Sequence, residues 1–172
     1  MNDAAIRRCR WREPGGIEAA LQIGAFLQGI GVEIEAGPVG ASVLPGMTVL
    51  RGRVRVDPEV AAYPADLLHE AGHLAVSDPA TRHALEVIEA DPGDEMAAIA
   101  WSVAAAHASG IELETLFFDE GYKGGAGALR AAFAGKGWVG VPMLAWFGMT
   151  AEPRRAEERG VPAFPAMTRW LR

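Results

Sequence analysis

The residues with the clearest chemical potential lie in one short stretch, His69-Glu70-Ala71-Gly72-His73. On a helix, side chains four apart share a face, one turn above the other. His69 and His73 can therefore direct two imidazoles at one point, an arrangement of neutral nitrogen donors that suits zinc. Glu70 stands about 100° round the helix from His69, an awkward angle for a ligand but within reach of water held at that point. The pattern H-E-x-x-H thus joins a metal-binding pair to a carboxylate able to take a proton from that water. The alternative is two helix histidines acting as polar surface or as hydrogen-bonded core groups.

The surrounding residues predict a buried helix over 64–77. Pro64 suits a first helical position, and Asp66 in the first turn favours the positive helix end. Leu67, Leu68, Leu74 and Ala75 supply apolar surface to anchor it. Ala71 and Gly72 are small enough for another backbone or a substrate to approach. Glycine inside a helix costs about 1 kcal/mol, which points to a packing reason.

Two histidines do not complete a catalytic zinc site, which usually has three protein ligands and one open position. Glu95 is the favoured third, because it sits in the first turns of an apolar helix, Met96-Ala97-Ala98-Ile99-Ala100-Trp101-Ser102-Val103, and a carboxylate entering a core needs a cation or donors. Acids also simply favour helix N-termini. Asp94 is the next candidate, and His83 and His107 are alternatives. For a donor to the developing oxyanion the chain offers Tyr122, Lys123, His107 and Tyr63. Tyr122 and Lys123 lie in a glycine-flanked loop, where a side chain can be aimed at a cleft.

With these residues in place, the chain resembles the zincin metallopeptidases, and among them the branch whose third ligand is a downstream glutamate. The resemblance covers roughly residues 50–105. It implies a zinc ion, one per chain, bound by His69, His73 and Glu95, with Glu70 as general base. It also implies an edge strand just before the motif helix that pairs with extended peptide, and residues 53–57 occupy that place. The longer signature H-E-x-x-H-x-x-G-x-x-H is absent, since Val76 and Pro79 stand where its Gly and third His would be.

Elsewhere the pattern predicts a helix over 15–29, a half-buried strand at Val32-Glu33-Ile34-Glu35, and a hairpin of Met47-Thr48-Val49-Leu50 with Arg53-Val54-Arg55-Val56-Asp57. Helices are expected over 77–90, 91–109, 112–118, 126–134 and 138–149, with a proline-containing tail wrapping the surface. The fold class is therefore α+β, a small, mostly antiparallel sheet followed by a helical bundle, zincin-like and a single domain over 1–172. Trp101, Trp138, Trp146 and Trp170 read as core or interface residues.

The net charge of −6 argues against a nucleic-acid partner. The single Cys9 cannot form an internal disulfide, the start lacks a secretory layout, and no run is apolar enough for a membrane span, so a cytoplasmic location is expected. The expected activity is zinc-dependent hydrolysis, most readily of a peptide or small amide substrate. The alternatives are a silent module that binds metal or peptide, and a zinc hydrolase of a non-peptide amide or ester.

Overall fold

The computed structural model describes residues 2–86, 91–135 and 137–172. Among them are α1 (Asn2–Ile6), α2 (Gly16–Gly29), β1 (Ile34–Ala36), β2 (Met47–Leu50), β3 (Arg53–Val56), α3 (Asp66–Val76), α4 (Pro92–Ser109), α5 (Leu113–Leu116), α6 (Ala126–Ala134), α7 (Val141–Trp146) and α8 (Pro153–Arg159). The class is mixed α+β. No helix among the described residues is long and apolar enough to cross a membrane.

The sheet is mixed, where a mostly antiparallel one was expected. Its order is β1-β3-β2, with β2 and β3 antiparallel and β1 parallel to β3. Arg51 and Gly52 both have positive φ (51° and 74°), so the hairpin closes through a two-residue turn of the I′ kind. Charge explains why β1 sits beside β3 and not beside β2, its neighbour in sequence. The alternating acids Glu33 and Glu35 meet the alternating bases, Arg53 on Glu33 at 2.8 Å and Arg55 on Glu35 at 2.7 Å. Residues 53–57 are therefore not the edge strand that the resemblance implied: β3 is central, and β2 is the edge that packs against α3.

The motif helix α3 is buried along its whole length, as its leucines require. It packs antiparallel to α4, which spans its expected range. Asp91 caps α4 by accepting from the Gly93 and Asp94 N–H groups, and Gly110 ends it at φ 71°. Gly72 supplies the closest seat between the two helices. A Cβ there would lie 2.8 Å from the Ala98 carbonyl oxygen. One turn away, the Ser102 hydroxyl lies 3.1 Å from the Leu68 carbonyl oxygen.

The expected helix over 77–90 does not form in its described part, where only a 3₁₀ turn, Arg82–Ala84, is present. Residues 87–90 lie outside the described residues. Arg82 explains the change of course: its guanidinium donates to the carbonyls of Leu74 (2.7 Å), Ser77 (3.1 Å), Ala75 (3.3 Å) and Arg172 (3.0 Å), folding the chain back over the end of α3. The tail does more than wrap the surface. It contains α8, and its Trp170 packs edge-on against Phe26 and Trp101 while its carbonyl accepts from the Trp101 indole N–H at 2.9 Å. Trp146, by contrast, is 83% exposed and no core residue. The short α1 has no counterpart among the expected elements. Buried Asn2 ties it down, donating to the Gly24 and Val32 carbonyls and accepting from the Ile34 N–H.

Candidate metal centre

Three side chains from α3 and α4 converge. The Nε2 atoms of His69 and His73 are 3.1 Å apart. Glu95 brings one carboxylate oxygen to 3.5 Å from His69 Nε2 and the other to 3.3 Å from His73 Nε2. Tetrahedral zinc with bonds of about 2.0–2.2 Å sets neighbouring donors roughly 3.3–3.5 Å apart. The imidazole–carboxylate separations, one to each oxygen, fall in that range, the imidazole pair stands slightly closer, and the donor set, two imidazoles and a carboxylate, could hold a metal ion.

The electrostatics keep these donors available. Burial, with His73 alongside, pushes His69 down to about 4 against the pull of Glu95, so its imidazole is neutral at pH 7 with a free lone pair. His73, close enough to hydrogen-bond, holds the Glu95 carboxyl below its ordinary value, against partial burial and with help from the charge of Lys123. The outer nitrogen of His69, Nδ1, is buried with no hydrogen-bond partner among the described residues. An unpaired buried donor costs about 1–3 kcal/mol. Packing holds this ring instead, edge-on against His73 and against Tyr122 at a centroid distance of 5.7 Å.

Glu70 stands beside this cluster and outside it, as its angle on the helix requires. Burial raises its carboxyl to about 7, and the acids Asp66 and Glu95 add to the rise. His73 and the backbone N–H of Val49 in β2, which faces the carboxylate, act in the opposite sense. One helical turn before Glu70, burial alone lifts Asp66 to about 7. Asp66 reads from sequence as a first-turn helix acid, and its burial is what that reading misses. Tyr122 sits mostly buried over His69, and burial together with Asp66 and Glu95 holds its hydroxyl well above the ordinary value. Its loop is strained: Tyr122 and Lys123 both have positive φ (54° and 53°), a conformation that costs a non-glycine residue roughly 1 kcal/mol or more.

The other candidates lie elsewhere. Asp94 is outside the cluster, and exposed His83 packs over the β2–β3 turn near Gly52. His107 lines an apolar cavity of about 260 Å³ with Trp138 and Phe164. Tyr63 stacks on Phe118 at 3.8 Å beneath the Arg12 guanidinium. Lys123 is exposed, with its charge felt at Glu95. The position of Glu95 depends on two glycines. One is Gly72, and the other is Gly140 (φ 79°), where a Cβ would lie 1.9 Å from the Met96 carbonyl oxygen, in the turn that carries Glu95. The glycine inside the helix hinted at the first, and no sequence pattern marks the second. No protein-family model matches the chain, and neither the curated proteins nor the solved structures contain a match to it.

Proposed function

We propose that the chain is a zinc-dependent hydrolase of amide bonds, a zincin-like metallopeptidase in its chemistry, with one zinc per chain on His69, His73 and Glu95. The observation that carries this reading is the convergence of three donor groups from two helices, their ligand atoms within 4.8 Å of one another, with a buried carboxylate, Glu70, at their side. Bound there, zinc would bring the pKa of water towards 7 and polarise a carbonyl as a Lewis acid.

The chain's own residues account for the proton movements. Glu70 takes a proton from water as the water oxygen bonds to the carbonyl carbon. It then gives that proton to the nitrogen as the C–N bond breaks, leaving a carboxylic acid and an amine. Tyr122, whose ring stands edge-on to His69, is the donor assigned to this chemistry, and a hydrogen bond from its hydroxyl would stabilise charge developing on the carbonyl oxygen. Burial of His69 and His73, with Glu95 half-exposed, leaves Glu95's side as the way in for substrate.

Metal analysis of the purified protein tests the first claim. About one zinc per chain is expected, lost in His69→Ala and in His73→Ala, and full zinc in either variant would overturn it. Glu70→Gln should keep the metal and lose hydrolysis by about 10²–10⁴-fold. Undiminished turnover in that variant would remove Glu70 from the role of base.

A further inference from the structure

The strand beside the cluster has little left to offer an extended chain. In the β2–β3 hairpin, Leu50–Arg53 and Thr48–Arg55 are the hydrogen-bonded pairs, because Val54 turns its N–H to Glu33 and Val56 its carbonyl to Gly37, both towards β1. Met47, Val49 and Arg51 therefore point their N–H groups outward, along the free edge of β2. Two are hydrogen-bonded and the third faces a carboxylate. Met47 donates to the Leu44 carbonyl at 3.2 Å, Arg51 donates to the Leu85 carbonyl, and the Val49 N–H faces Glu70. Strand addition needs an edge whose donors and acceptors alternate freely. This edge has the donors at both its ends spent and the one between them turned to Glu70.

The cover over the Arg51 end is firmly held. Leu85 follows the 3₁₀ turn that Arg82 fastens to the end of α3 through three carbonyls and to the tail through that of Arg172, and Arg51 also pairs with Glu86 at 3.3 Å. On the other side, the Tyr122 loop closes over His69. We infer that the site, if it is the hydrolase proposed above, acts on short amides and dipeptide-sized substrates and does not take extended polypeptide by strand addition, because residues 82–86, Leu44 and Glu70 already occupy the edge of β2.

Two measurements test this. In the metal-free protein, amide hydrogen exchange at Met47 and Arg51 should be slowed at least about 100-fold relative to an unstructured chain. Exchange at the unstructured rate would show an open edge and overturn the inference, whatever the activity. The zinc-loaded protein is then given N-acylated dipeptides and amino-acid anilides in one arm and reduced, unfolded casein in the other, with products read by mass spectrometry. Short substrates should exceed any internal casein bond at least tenfold in kcat/KM. Internal casein cleavage at a comparable rate overturns this inference and leaves the hydrolase reading standing. Cleavage of neither, with zinc bound, overturns the hydrolase reading and this inference with it.

Discussion

Gly72→Ala tests whether the separation of two helices sets the metal site. The new methyl carbon would stand 2.8 Å from the Ala98 carbonyl oxygen and 3.3 Å from its carbon and Cα, where ordinary contact begins at 3.4 Å. A backbone carbonyl cannot rotate away, so α3 and α4 must part by about 0.6 Å in a close-packed interior. Overpacking of this kind costs about 1–3 kcal/mol, and the better helix propensity of alanine returns about 1 kcal/mol. The metal-free protein should therefore lose up to about 2 kcal/mol in urea unfolding. The larger effect belongs to zinc. Glu95 lies one turn before Ala98 on α4, so the same displacement carries its carboxylate away from imidazoles now 3.3 and 3.5 Å distant. Displaced supports of metal ligands typically cost 10–100-fold in affinity, about 1.4–2.7 kcal/mol. Competition against a chromophoric chelator measures this directly. Zinc affinity equal to wild type, in a folded variant, would refute the claim that the Gly72 seat fixes the Glu95 ligand.

Two further outcomes are expected. Asp66, raised from 3.8 to about 7, keeps its proton in the folded chain at pH values where the unfolded chain has lost it. Its contribution to stability therefore falls as pH rises from about 4 to 7, by up to roughly 4 kcal/mol at 1.36 kcal/mol per unit. Asp66→Asn escapes this loss, so in urea unfolding of the metal-free protein its advantage over wild type should be larger at pH 8 than at pH 4.5, and an equal difference at both would refute the burial argument. Tyr122→Phe should leave zinc affinity unchanged and lower kcat for an amide substrate by about 10–10³-fold, with KM moving little; unchanged kcat would remove its hydroxyl from the chemistry.

The motif helix was legible because its information is local: the 69/73 spacing, the flanking leucines and Asp66 all act within one helix. The N-terminus of α4 was legible for the same reason, since Asp91, Pro92 and Gly93 carry their own capping chemistry. The sheet order was not read, although the signal was present. Glu33 and Glu35 alternate in step with Arg53 and Arg55, and pairing opposite charges across neighbouring strands places β1 beside β3. Reading each strand alone yields its faces, while the partner emerges only when the two alternations are compared. The segment after α3 was misread because Arg82 looks like an ordinary helix residue until its four carbonyl acceptors, from α3, Ser77 and the distant Arg172, are brought together.

The position of the third donor shows where local reading stops. Glu95 and Asp94 are chemically close and adjacent, and both suit a helix N-terminus. What separates them is the rotation and depth of α4, and contacts far apart in sequence set both. Gly72 lets the α4 backbone sit against α3, Ser102 rests 3.1 Å from the Leu68 carbonyl while its hydroxyl lies 2.8 Å from that of Ala98 in its own helix, and Gly140 packs its own backbone on Met96, the residue after Glu95. Two of these three are side chains reduced to hydrogen, which leave no hydropathy pattern. α3 is buried on every side, by β2 and β3 as well as α4, and that burial moves Asp66 and Glu70 up and His69 down. The helix supplies the reactive groups, the glycines let α4 approach closely enough to bring Glu95 to them, and burial of α3 sets their protonation.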